Sequence, residues 1–300
     1  MRKVKVITDS CSDLSGELLQ KYGIDYGRMM TVLDGAESPA LLTWSRDEAH
    51  ELYEVMRGGK RVTTTQVPIE EFTRIFTMYL DDGFDIVYIG CSLKQSSSVN
   101  TGKAVAKKLA DEGHKGTVLC IDSMNASIGE GMLAIEAAKL AEEGLSASEI
   151  EERIIAIRKT VNEYVTVHSL KTLYKAGRVK GPAAFFGNLL GVKPIIISDA
   201  DGEQAAFKKV KGRRASFEEI VKLLSDSIVE PEKQTVYIVH ADCPDEEIAE
   251  LAEAVKRSIP CLDVHTGLIG PIIGASIGPD AVGIFGFGKE VDFRIGDKNA

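Results

Sequence analysis

The chain has 300 residues, 44% of them hydrophobic and 27% charged, with a formal net charge of −9. Its length supports about two domains, its composition an ordinary globular core, and its acidity argues against a nucleic-acid backbone as partner. No run reaches the roughly 18 apolar residues of a membrane span. The five cysteines (Cys11, Cys91, Cys120, Cys243 and Cys261) are odd in number and lack C-x-x-C spacing, which argues against a disulfide framework or a zinc site and for a reducing cytoplasm.

In chain order, residues 4–8 read as a short apolar strand that Thr8, Asp9 and Ser10 cut off too early for a signal-peptide core. Capping residues Ser12 to Ser15 precede a helix over 17–22. Pro68 suits the first turn of a helix over 69–80. A strand over 85–91, a helix over 98–110, a strand over 117–121 and a helix over 128–143 follow. Strands that are apolar on both faces and alternate with helices imply a parallel sheet. Beyond a helix over 148–161 the pattern changes. It becomes a strand over 164–167, helices over 169–176 and 182–190, a hairpin of 194–198 with 204–210, then helix, strand and helix over 217–228, 236–240 and 246–259, with a last strand over 281–287. The expected architecture is therefore α/β in two domains. Residues 1–155 form a parallel sheet flanked by helices, residues 156–300 a mixed sheet with helices, and a ligand cleft lies between them. Residues 288–300 read as a mobile polar tail.

Four loops in the first half are rich in hydroxyls: Thr8 to Ser12, Thr63 to Gln66, Ser92 to Ser98, and Asp122 to Ser127. Ligands gather at the carboxyl ends of parallel strands, and hydroxyls with free N–H groups at helix starts can clamp an anion without arginine or metal. Each loop taken alone is also an ordinary helix cap. Gly274-Ala275-Ser276-Ile277-Gly278 fits the G-x-S-x-G pattern of a hydrolase, with His240 or His265 as the base. That motif requires a strand before the serine, a helix after it and a later histidine, whereas Pro279 follows and His265 precedes it. A G-x-x-x-x-G-K-S/T loop is absent. His50, His114, His168, His240 and His265 show no metal spacing, and no cofactor is called for.

An ordered set of motifs over residues 4–287 resembles the DegV family. Thr8-Asp9-Ser10-Cys11-Ser12-Asp13-Leu14 looks like its opening motif, and Thr64-Thr65-Gln66-Val67-Pro68 resembles T-S-Q-x-P. Ser92 to Thr101 resembles its hydroxyl-rich loop, with Lys94 and Ser97 where that loop has glycines. Asp122-Ser123 to Gly131, Leu173 to Arg178, Leu190 to Ile195, and Gly270-Pro271-Ile272-Ile273-Gly274 with Gly278-Pro279 match later segments. The resemblance implies a fatty-acid-binding protein, not an enzyme, some of whose relatives present the acid to a separate ATP-dependent fatty acid kinase. By motif, Thr64 and Ser96 would hold the carboxylate, with Thr65 and Ser97 beside them. Ser276 stands where the family often carries a histidine, and it can donate a hydrogen bond but cannot carry charge.

The acyl chain requires an apolar wall, for which residues 182–190, with Phe185, Phe186, Leu189 and Leu190, are the best candidate, though the same pattern suits plain core packing. Lys208, Lys209, Lys211, Arg213 and Arg214 form the densest basic run. They read either as a solvated hairpin edge or, with Arg178, as a docking patch for an acidic partner or nucleotide phosphates. A serine hydrolase using Ser276 and a small-anion or phosphosugar binder are the competing readings.

Overall fold

The computed structural model describes residues 2–181 and 191–295. The first half runs β1 (Val4–Asp9), α1 (Gly16–Lys21), β2 (Asp25–Gly27), β3 (Met30–Leu33), β4 (Ala36–Pro39), α2 (Arg46–Arg57), β5 (Val62–Thr65), α3 (Ile69–Asp81), β6 (Asp85–Gly90), α4 (Ser98–Asp111), β7 (Val118–Asp122), α5 (Ile128–Glu142) and α6 (Ala147–Ile157). The second runs β8 (Val161–Thr166), α7 (Lys171–Ala176), β9 (Val192–Ser198), β10 (Gln204–Lys211), α8 (Arg213–Ser227), β11 (Thr235–His240), α9 (Asp245–Ser258), β12 (Asp263–Leu268), α10 (Pro271–Ile277) and β13 (Val282–Phe287). Among the described residues no helix is long and apolar enough to cross a membrane.

Among the described residues the strands form three sheets. The first is parallel, in the order β2-β1-β6-β7. Its strands are apolar on both faces because both are covered. Ile7, Ile86 and Tyr88 pack with Phe72, Ile75 and Phe76 of α3 and Val105 and Leu109 of α4. Val6, Val87, Ile89 and Ile121 face Met132 and Leu133 of α5 and Ile150 and Ile154 of α6. The second is a small antiparallel sheet, β4-β3-β5. The third is mixed, β10-β9-β8-β13-β11-β12, with β11 and β12 parallel and the other pairs antiparallel. Its outer face (Ile195, Ile238, Ile284) packs under Ile220 and Leu224 of α8 and Leu251 and Val255 of α9. Its inner face (Val165, Ile196, Val239, Phe285) joins the cluster that contains α5. The α/β class, with a parallel sheet in the first half and a mixed sheet in the second, is as the sequence implies.

Helix α5 explains how the halves join. Ten of its fifteen residues, Ile128 to Ile135 with Ala137 and Ala138, are buried. It touches β1 and β6 on one side and β8 and β13 on the other. A helix apolar all round belongs inside a protein. The tail differs from expectation: Val291 donates to Lys159 O (2.9 Å), Phe293 O accepts from Ala200 N (2.8 Å), and the Phe293 ring meets Phe207 edge-on at 5.6 Å. These contacts anchor residues 291–293 against the second half.

Candidate ligand site between the sheets

In the first sheet the chain moves from β1 to β2 in one direction and from β6 to β7 in the other. The crevice between β1 and β6 is therefore a topological switch point, where ligands of open α/β sheets sit. The loops after these strands are tied together by Asp9. Its carboxylate accepts from Tyr88 OH (2.6 Å) and Cys11 N (2.9 Å), with a longer contact from Cys91 N (3.4 Å). Cys11 and Cys91 emerge side by side and line a cavity of about 230 Å³.

The hydroxyls reach the same cavity from β5 and the start of α4. Ser98 accepts a hydrogen bond from Val67 N (3.2 Å), and Gln66 Nε2 donates to Thr101 Oγ1 (2.9 Å). These bonds draw the loop after β5 against α4, so that Thr64, Thr65, Gln66, Ser96 and Ser97 all line the cavity. Ser98 Oγ lies 3.0 Å from Ser96 Oγ, and Ser98 N donates to Ser96 Oγ (3.2 Å). When Ser98 is the donor between the two hydroxyls, the Ser96 proton is left for a ligand. Ser276, in the last turn of α10, and Arg178 complete this end. The remaining wall is largely apolar, with Leu173, Ile269, Ile272 and Ile277 on one side and Val165, Ile196, Val239 and Phe285 of the third sheet as floor.

A second cavity, of about 270 Å³, shares Thr64, Arg178 and Ser276 with the first, and opens among Lys60, Arg61, Lys171 and Lys175. These four side chains and Arg178 are exposed. An apolar interior and a basic vestibule therefore meet at a belt of hydroxyls.

Of the four hydroxyl-rich loops, two serve chiefly as scaffold. Ser10 Oγ donates to Ala40 O (2.7 Å) and accepts from Met29 N (3.1 Å), and Thr8 Oγ1 donates to Glu130 Oε1 (2.7 Å). Asp122 Oδ1 accepts from Leu93 N (3.1 Å) and Met124 N (3.0 Å), while Ser123 closes a turn on Asn125. From the fourth loop Ser127 does line the cavity, but its hydroxyl donates to Asp13 Oδ2 (2.5 Å). Beneath the cavity, burial first and then the Asp9 charge raise Glu130 well above the carboxylate range, and burial likewise raises Asp9.

The cations divide differently from the sequence expectation. Neither cavity is lined by Lys208, Lys209, Arg213 or Arg214. Lys208 pairs with Glu219 (2.7 Å) and Arg214 with Glu218 (3.3 Å), the latter with its side chain 93% exposed. Arg213 turns inward. It donates to Asp280 O (2.7 Å) and Glu247 Oε2 (3.1 Å) and lies 4.5 Å over the Phe217 ring, so it holds α8 to its neighbours. The vestibule cations Lys60, Arg61, Lys171 and Lys175 come from separate segments, and no local run marked them. Glu163 and Gln204, also in the cavity wall, were missed; a lone acid within the strand run 161–167 was the available signal. Phe185, Phe186, Leu189 and Leu190 lie outside the described residues.

The hydrolase geometry is absent. Ser276 lies within a helix and is followed by a turn at Gly278 (φ 86°), not by strand–serine–helix. Among the described residues, no histidine lines either cavity. His240 instead accepts from Cys243 N (3.2 Å), and His265 packs against Tyr237.

A family model described as an uncharacterised protein of the DegV family matches residues 3–289. A DegV domain-containing protein of Clostridium perfringens is 30% identical over 288 residues, 96% of this chain and 98% of that one. Among solved structures, one from Thermus thermophilus, described as fatty acid binding of a DegV family protein, superposes with a TM-score of 0.85 at 25% identity, covering 96% of this chain and all of that one. DegV of Bacillus subtilis, described as a fatty acid binding protein, superposes at 0.83 with the same identity and coverage. With the family model spanning nearly its whole length, the chain belongs to the DegV family.

Proposed function

We propose that this protein binds one long-chain fatty acid between its first and third sheets and presents the carboxylate to a separate ATP-dependent fatty acid kinase, without catalysing a reaction itself. The observation that carries the reading is the set of hydroxyls Thr64, Thr65, Ser96, Ser97 and Ser276 that line a largely apolar cavity, with Thr64 and Ser276 shared between it and a basic vestibule. The chain would lie over Val165, Ile196, Val239 and Phe285. Burying about a dozen methylenes contributes on the order of 10 kcal/mol gross, and two or three hydroxyl bonds to the carboxylate about half as much. The tail therefore supplies affinity and the hydroxyls set orientation. The Thermus and Bacillus relatives, both described as fatty-acid binders, support the same ligand class.

Phosphorylating a carboxylate brings two negative species together, and cations around the reacting end offset that repulsion. Lys60, Arg61, Lys171, Lys175 and Arg178 supply them at the vestibule. In this reading the docking surface for the kinase centres there, and the 208–214 run contributes at most its outward members. The five free thiols are in keeping with a reducing, cytoplasmic location. The division into a binding half and a covering half falls at the end of α6.

The test is solvent extraction of the purified protein with mass spectrometry, followed by titration of delipidated protein with fatty acids of increasing length. A co-purified acyl chain and affinity that rises with length are expected. Affinity independent of length would instead favour a small-anion binder. For presentation, phosphorylation of the bound acid by a fatty acid kinase should fall when Lys171 and Lys175 are both changed to Glu while acid binding persists; unchanged phosphorylation would remove the vestibule from the proposal.

A further inference from the structure

Two groups of three metal-ligating side chains converge among the described residues. The first, His50, Glu54 and Asp242, opens to solvent and already holds a cation, since Arg57 pairs with Asp242 (2.6 Å) and with Glu54 (2.9 Å). The second lies beneath the cavity. Cys11, Cys91 and Glu130 are each at most 3% exposed, and the two sulfurs and a Glu130 carboxyl oxygen all lie within 4.8 Å of one another. The wholly buried Asp9 adjoins them. The hydrogen-bond partners of these four side chains are Thr8, Tyr88, Met29 and backbone N–H groups, not lysine, arginine or histidine.

Thr8 donates to Glu130 Oε1 (2.7 Å), but Oε2 has no hydrogen-bond partner. That oxygen is left over in either protonation state, as a donor without an acceptor or an acceptor without a donor. Buried polar atoms are rarely left so. Burial first, then the Asp9 and Cys91 charges, keep a proton on Glu130 well above the usual carboxylate range. A cation among these acids would replace their protons and engage the free oxygen. Asp9 brings the sulfurs together: by accepting from Cys11 N (2.9 Å) and Cys91 N (3.4 Å) it pins the loops after β1 and β6. Cys11 Sγ also lies 3.5 Å from Met29 Sδ. Two thiols, a thioether and one carboxyl are a soft donor set, suited to zinc and its d10 relatives and not to magnesium or calcium. Four-coordinate zinc holds such donors about 3.5–3.8 Å apart, so small side-chain shifts would close this group on the ion. A bare ion is smaller than a water molecule and can seat among atoms that water does not reach. Both cysteines line the cavity, which gives the ion a way in.

We propose that Cys11, Cys91 and Glu130 form a binding site for a thiophilic metal ion of the zinc class, with the Met29 thioether at its edge. The ion fastens the ends of β1 and β6 to α5, the helix that the first and third sheets share. Asp9 acts through the cysteine backbone and is a positioning residue. The three ligands lie far apart in sequence, so no spacing motif marks them. The site does not depend on the acyl ligand, because none of the hydroxyls assigned to the carboxylate belongs to it.

The experiment adds Co2+, whose thiolate complexes absorb in the near ultraviolet, and then Zn2+ to reduced, delipidated, metal-free protein. One equivalent of Co2+ should give a thiolate-to-metal band that Zn2+ displaces. Zn2+ at about a hundredfold excess over its dissociation constant should raise the thermal midpoint by roughly 5 °C. Cys91→Ser should remove the band and weaken Zn2+ binding by more than about tenfold, whereas Cys261→Ser, outside the group, should change neither. Glu130→Gln keeps both sulfurs and should shift the band and weaken binding, which decides the matter if Cys91→Ser fails to fold. No thiolate band in the wild-type protein overturns the proposal, as does a band that survives Cys91→Ser or is untouched by Glu130→Gln. Cobalt bound without that band belongs to His50, Glu54 and Asp242 and overturns it too. Each of these outcomes leaves the fatty-acid reading as it stands.

Discussion

Asp13 offers a sharp test of the electrostatics that hold the site together. Its carboxyl is 5% exposed and bridges three segments. Oδ1 accepts from Gly270 N (2.8 Å) ahead of α10, and Oδ2 accepts from Ser127 Oγ (2.5 Å) ahead of α5. Burial dominates over these bonds and pushes its pKa from 3.8 up to about 7. The folded protein therefore keeps this proton to higher pH than the unfolded chain does. The associated stability is complete below about pH 4 and is lost as pH rises through 7. The gap is worth about 4 kcal/mol at roughly 1.4 kcal/mol per decade, a large fraction of typical domain stability. Asp13→Asn removes the titration and suits the local backbone, since Asp13 has φ 50° and Asn tolerates that region. Urea unfolding of both proteins from about pH 4.5 to about pH 8 should show the variant gaining about 3 kcal/mol on the wild type across that range, then levelling off. Taking the difference cancels the other titrating groups. A difference that stays flat with pH would refute the claim that a buried, proton-bearing Asp13 clamps α10.

Ser96→Ala and Thr64→Val should each weaken fatty-acid binding by about 1–3 kcal/mol, read by displacement of a fluorescent acid; unchanged affinity and ligand orientation in both would move the carboxylate elsewhere. Arg213→Ala should lower the denaturation midpoint by the equivalent of about 1–3 kcal/mol, since it leaves the Asp280 carbonyl and the Phe217 face uncovered, whereas Arg214→Ala should stay within about 0.5 kcal/mol; equal effects would contradict the inward and outward assignments. Gly131→Ala should destabilise by about 1–3 kcal/mol, because a Cβ there would lie 2.7 Å from Ser12 O and 2.9 Å from Leu14; a thermal melt at the wild-type midpoint would count against that close approach.

What could be read from the chain follows from how local each signal is. β1, β6 and β7 are continuous apolar runs, and their helices carry clear patterns, so the parallel sheet was visible. Residues 25–65 were not, because β2 to β5 are only three or four residues long and β4 is exposed throughout. Helix α2 was available from its capping box, in which Ser45 and Glu48 bond reciprocally. Helix α10 was hidden by its shortness and three internal small residues, Gly274, Ala275 and Ser276; Gly274 is required there, since a Cβ would fall 2.4 Å from the Tyr53 hydroxyl. β12 is a partly exposed edge strand with mixed polarity. In the site, Thr64, Thr65, Ser96 and Ser97 were legible because two loops carry them in runs. The floor was not, because facing Glu163 toward Gln204 depends on strand register between positions 41 residues apart. The basic run at 208–214 was visible as charge, but which side chains turn inward is a matter of tertiary packing.

The placement of α5 has a consequence for any attempt to divide the protein. The first and third sheets both use this helix as part of their cover, so a cut after residue 157 would send it with the first fragment and strip the second of its inner wall. Two separately made halves should be sticky and poorly folded alone and should recover structure when mixed. On the proposed function, a ligand would then enter and leave by movement of the loops at the neck, since swinging the halves apart would bare both faces of a greasy rod.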